Sequence, residues 1–131
     1  MRSILCILAL MTIIACGDNK KNEIQLLGDE VIELHDEAMP LMDGLYQTRM
    51  KLQKALADST LTDSSAIVTA IGQIKLAEDA MMDWMHNFNP VFEGETDEIT
   101  LQYLTDQKAS ITVVGEQMRN AKKQGELLLE K

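Results

Sequence analysis

Cysteine, proline, histidine and aromatic side chains are all scarce in this chain, and each scarcity excludes something. Two cysteines, two prolines and two histidines occur in 131 residues, and aromatics make up 4%. There is no CxxC or HxxxH spacing, so the common zinc and redox frameworks are not written here. No G-x-S-x-G elbow and no Gly-rich phosphate loop appear, which removes two widespread catalytic signatures. Two histidines leave little for general acid–base chemistry, although carboxylates alone could serve. Positive charge is short as well. Twelve Lys and Arg stand against 21 Asp and Glu, for a net charge of −9. Such a chain should not bind nucleic acid, would be repelled by anionic headgroups, and could attract cations or a basic partner. Nowhere does an apolar run reach the ~18 residues of a membrane-spanning helix.

What the N-terminus does hold is informative. Arg2 supplies a short positive region, and Ile4 to Ile14 is apolar apart from Thr12. That is the length of a signal-peptide core. Ile13-Ile14-Ala15-Cys16 then matches the lipobox of bacterial lipoproteins, with the small Ala15 before the cleavage point. The expectation is a cleaved leader over residues 1–15 and a diacylated Cys16 as the mature N-terminus. Each buried CH₂ of acyl chain contributes about 0.8 kcal/mol, so two or three chains anchor stably where one is marginal. Cys6 would leave with the leader and Cys16 would carry lipid, so no disulfide could form. Residues 16–23 read as the lipidated terminus and a polar tether, reaching roughly 25 Å if extended. The protein would sit on a membrane of the bacterial cell envelope, inner or outer, through lipid alone.

Residues 24–131 read as one all-α domain. Asp58-Ser59-Thr60 with Thr62-Asp63-Ser64, and Asn89-Pro90 with Glu93-Gly94-Glu95, mark two breaks. The first segment places Ile24, Leu27, Val31, Leu34, Ala38, Leu41, Leu45, Thr48, Leu52 and Ala55 at alternating three- and four-residue spacing. The second places Ile67, Ala70, Ile74, Ala77, Met81, Trp84 and Phe88 likewise. The third places Leu104, Gln107, Ile111, Val114, Met118, Ala121, Gly125 and Leu128, with Gln107 and Gly125 weakening the seam. Asp63 or Ser64 can cap the second helix, and Thr96 or Asp97 the third. Three stripes joined by loops predict an antiparallel three-helix bundle with coiled-coil-like, left-handed packing near +20°. Pro40 cannot donate to the carbonyl of residue 36 and disfavours helical geometry at Met39, so a kink or break is expected there.

Three local strings carry a family resemblance: His35-Asp36-Glu37-Ala38-Met39-Pro40, then Asp83-Trp84-Met85 with Phe88 before Pro90, then Tyr103-Leu104 followed by Gln107-Lys108. Together with the lipobox, the chain resembles a group of small lipoproteins of Bacteroidetes-type bacteria, often labelled viral A-type inclusion protein-like or transposase-like. The resemblance covers most of the mature chain. It implies a helical fold and an envelope location, and it brings no activity and no functional residues.

Two constellations could carry chemistry. His35, Met39 and Met42 line one stripe of the first helix, while Met82, Met85 and His86 crowd one turn of the second. Folding the hairpin about residue 60 brings Met39 and Met82 to one level, with Tyr103 and Gln107 near it. Thioether plus imidazole suits Cu(I), so a soft-metal site is one reading. Against it, Met is also a flexible core filler and a surface His is ordinarily solvated. The second constellation is acidic. Asp29, Glu33 and Asp36 share a face, with Glu30, Glu37 and Asp43 nearby, but a straight helix supplies few of the oxygens that Ca²⁺ needs. A carboxylate-bridged di-iron bundle fails, because Asp83-x-x-His86 has no second copy. The function expected is a non-enzymatic, lipid-anchored module that binds an envelope protein; the alternative is a periplasmic Cu(I)-binding protein.

Overall fold

The computed structural model describes residues 15–58, 63–90 and 92–130, with side chains from Asn19 onward. Of the expected leader, residues 1–14 lie outside the described residues. Four helices follow: α1 Ala15–Ala38, α2 Pro40–Ala57, α3 Ser64–Asn87 and α4 Asp97–Leu129. No strand occurs among the described residues.

α1 and α2 form one rod. Val31, Ala38, Leu45 and Leu52 are all buried at heptad spacing across the junction, so the core stripe never loses phase. Pro40 does interrupt the ladder, but only locally. Met39 keeps helical angles (φ −55°, ψ −41°), and its N–H still donates to His35 O at 2.9 Å. The Met42 N–H donates to Met39 O at 3.0 Å, a tighter turn that absorbs the missing donor. Burial of Ala38 and Leu45 on either side outweighs the local preference against a helical Met39. The stretch read as an extended tether, 17–23, carries helical backbone, and Lys20 pairs with Glu98 on α4. Helical rise is about 1.5 Å per residue, so this stretch spans less than half of its extended reach.

The rods pack in threes. Lys20 meets Glu98 and Lys108 donates to Glu30, each pair 78 positions apart, and a constant offset means that the α1–α2 rod and α4 run parallel. α3 runs the other way. Arg49 reaches back to Glu78 at 3.0 Å, and the earlier His35 stacks on the later Trp84. Ile67, Ala70, Ile74, Ala77, Met81 and Trp84 are the buried residues of α3, and α4 buries Leu104, Ile111, Val114, Met118, Ala121 and Gly125. Thr100 extends that α4 stripe one turn earlier. Caps set the starts of both helices. The Asp63 carboxylate accepts from the Ala66 N–H at 3.0 Å, and Thr96 Oγ1 accepts from the Ile99 N–H at 3.4 Å. Gly94 takes φ +88° in the turn before α4, a conformation that L side chains rarely adopt.

Gly125 does not weaken the seam. A Cβ there would lie 2.7 Å from Thr48 Cγ2, 3.1 Å from Ile74 Cδ1 and 3.3 Å from Leu52 Cδ1. All three rods converge on this point, and the missing side chain is what lets them do so.

Candidate functional site

The structure separates the expected Met–His set by direction rather than by level. His35 is half-buried and lies against Trp84, with ring centroids 5.6 Å apart. Its Nδ1 is 2.9 Å from Asp36 Oδ1. Met39, Met42 and Met85 are half-buried and pack on the core. Met82 is 54% exposed, and His86 is exposed one turn beyond it. Each stands two positions from Trp84, about 200° around the helix at 100° per residue, on the face opposite the one that holds His35. The six residues therefore divide between a core-facing group and an outward pair. Among the described residues, no group of three or more His, Cys, Asp or Glu is placed to hold a metal. Cys16 belongs to α1, and its thiol lies outside the described side chains.

An aromatic stack occupies the end of the bundle where those residues meet. Trp84 stacks on Phe88 at 4.8 Å, Phe88 lies 6.3 Å from Tyr103, and Phe92 meets the Tyr103 edge at 5.6 Å. The Asn89 N–H donates to Tyr103 Oη at 2.8 Å, which ties the α3–α4 connection to α4. Every aromatic except Tyr46 joins this stack. Trp84 Nε1 is buried without an acceptor among the described residues. Leaving such a donor unpaired costs about 1–3 kcal/mol, which the large stacked area of the ring offsets. Sequence reasoning missed the stack. Its signal was the i, i+4 spacing of Trp84 and Phe88, but Tyr103 and Phe92 join only through the fold of the connection.

The three seams between rods differ in chemistry. Arg49 and Glu78, both largely buried, bridge α2 to α3. Glu30 with Lys108, and Lys20 with Glu98, bridge α1 to α4. Along the half of the α3–α4 seam nearest Asp63, the lining side chains are neutral apart from Asp63 itself. Here lies a groove of about 550 Å³ lined by Gln73, Leu76, Gln117, Asn120 and Gln124 over a floor of Ala77 and Ala121. It continues past Gln73 and Gln124 into a second groove of about 590 Å³ that ends at Leu127 and Asp63. Asp63 is the sole ionisable residue along both, and its carboxylate is engaged as a helix cap. Leu76 is 64% exposed and Leu127 44% exposed on the rims. Two other grooves are charged. One is edged by Lys20, Glu23 and Glu30, and another by Asp29, Glu33, Asp36 and Glu37. The expected acidic face of α1 is thus an open surface around Ile32.

Comparison with protein-family models, curated proteins and solved structures finds no match for this chain.

Proposed function

We propose that the protein is a lipid-anchored module of a bacterial cell envelope, related to the small Bacteroidetes-type lipoproteins that it resembles, and that it acts by binding a protein rather than by catalysis. The observation that carries the binding half is the uncharged α3–α4 groove with Leu76 and Leu127 exposed on its rims. The chain carries a net charge of −9, and an exposed apolar strip bordered by amides rather than by ionised groups fits an interaction surface. Helix-in-groove packing is the recognition mode that such a trough between two helices fits. The anchoring half rests on Ile13-Ile14-Ala15-Cys16. None of the described helices is long and apolar enough to cross a membrane. After loss of residues 1–15, the bundle would face the aqueous side of the membrane with its N-terminal end nearest the lipid.

Two measurements test this. Cells fed labelled palmitate should label the wild-type protein and not Cys16→Ser; label on both, or on neither, removes the anchor. Affinity capture from envelope fractions should recover a reproducible protein with the wild type and lose it with Leu76→Lys. Capture that ignores Leu76→Lys would remove the groove from the reading.

A further inference from the structure

The occupant of the α3–α4 groove can be narrowed by charge. We infer that the groove is a self-recognition surface, and that two copies of this chain pair through it. The inference rests on the reading of this groove as a protein-binding surface, and it names the partner.

Two molecules that each carry −9 repel one another over most of their surfaces. Contact through the α1 face would set Asp29, Glu33, Asp36 and Glu37 against the same residues of the second copy. Like charges placed so cost several kcal/mol. Contact through the groove near the start of α1 would oppose Glu23 and Glu30 in the same way, with Lys20 already paired to Glu98. The α3–α4 face alone among these grooves brings no unengaged ionised group into the contact.

The residues that line it are also self-complementary. Gln73, Gln117, Asn120 and Gln124 each end in a carboxamide, which offers two N–H donors and one carbonyl acceptor. A cluster of carboxylates must find a cation, whereas a cluster of carboxamides can pair with its own copy. That is the requirement of a two-fold interface, where the same patch serves both sides. The apolar content fits as well. Leu76 stands at the rim over the small floor residues Ala77 and Ala121, so the Leu76 side chain of one copy has a shallow trough to enter on the other. An acidic, basic or nucleic-acid partner would instead select ionised lining residues.

Mass measurement by light scattering tests the pairing, on the full chain purified in detergent with protein mass resolved from micelle mass. The wild type should be a dimer at micromolar concentration. Leu76→Lys and Leu76→Glu, separately, should each weaken pairing by about tenfold or more, shifting the species to monomer. Both lie at an exposed position, so circular dichroism and thermal melting should match the wild type. Mixing the two should restore a dimer through the opposed charges. Val68→Lys, exposed on α3 away from the groove, should leave the dimer intact. A monomeric wild type, or a dimer that survives both Leu76 variants, overturns the inference. If the wild type is monomeric and a different envelope protein is captured in a Leu76-dependent way, the groove remains a binding surface with another occupant. Loss of both dimer and Leu76-dependent capture refutes the groove altogether.

Discussion

Alanine at two helical glycines should move stability in opposite directions, and the structure says by how much. In a helix interior Gly→Ala gains about 0.8–1.0 kcal/mol of helix propensity. At Gly72, in the exposed flank of α3, a new Cβ meets nothing within 4 Å, so the gain is realised in full. At Gly125 the same methyl arrives 2.7 Å from Thr48 Cγ2, well inside contact distance. Thr48 is buried and β-branched, so its methyl cannot swing clear. Ile74 and Leu52, next in line at 3.1 and 3.3 Å, are fully buried on the other two rods. Overpacking of this kind costs about 1–3 kcal/mol. Subtracting the propensity gain leaves Gly125→Ala destabilised by roughly 1 kcal/mol. The two variants should then differ by about 2 kcal/mol, or roughly 8 °C in Tm for a domain of this size. Far-UV circular dichroism and the fluorescence of Trp84, the one tryptophan, give two independent unfolding signals. If Gly125→Ala raised Tm as much as Gly72→Ala, the close convergence of three rods at this glycine would be refuted.

Other substitutions probe separate parts of the frame. Asp63→Ala removes the cap on the Ala66 N–H and should cost about 1 kcal/mol in urea unfolding, while Asp63→Asn should recover most of it. A double-mutant cycle on Arg49 and Glu78 should return a coupling of about 1 kcal/mol, above the usual exposed pair because both side chains are largely buried; a coupling near zero would show that the α2–α3 contact is apolar only. Lys20 beside Glu98 lowers that carboxyl below its ordinary 4.5. A lowered folded-state value means that the pair stabilises above the unfolded value and that its contribution fades as pH falls through the folded value. The pH titration of Lys20→Met should therefore converge with the wild type at the acid end, and the Glu98 side chain is exposed, so the separation above should shrink in salt.

Most of the core was legible because a three-helix bundle needs one stripe per rod and this chain writes each stripe in heptads. α3 reads without error from Ile67 to Trp84, and the first rod reads through Pro40 because Ala38 and Leu45 keep phase on both sides of it. Departures from the reading have physical causes. Gly125 looked like a weakness because a sequence lists what a residue lacks, whereas the fold shows what its neighbours require. The stripe read for the third segment begins at Leu104, whereas the turn capped by Thr96 also carries Thr100 inward. For the Met–His set, heptad position already turns Met82 and His86 away from the seam, and both are exposed. Residue counting from the turn fixes height, but Met82 and His86 each sit two places from the core residue Trp84, and that alone turns them outward. The groove was readable in principle, since Gln73, Gln117, Asn120 and Gln124 are neutral in a chain with 25% charged residues. It became visible only once α3 and α4 were known to lie side by side.

Charge also explains why that seam stands apart. The order of the rods is specified by oppositely charged partners on two seams. Glu30–Lys108 and Lys20–Glu98 set the register of the parallel pair, and Arg49–Glu78 sets that of the antiparallel one. With both registers fixed, the third follows from geometry, and no ion pair is needed between α3 and α4. Nothing in folding then requires four carboxamides and two exposed leucines on that seam, where alternating Glu and Lys would be at least as soluble and would add a few tenths of a kcal/mol per pair. A surface composition that costs solubility and adds nothing to register has to be accounted for outside the monomer. Replacing Gln73 and Gln124 with Glu and Lys should accordingly hold or slightly raise stability to unfolding and abolish pairing. A loss of stability in that variant would return the amides to the fold, and the case for a second copy with them.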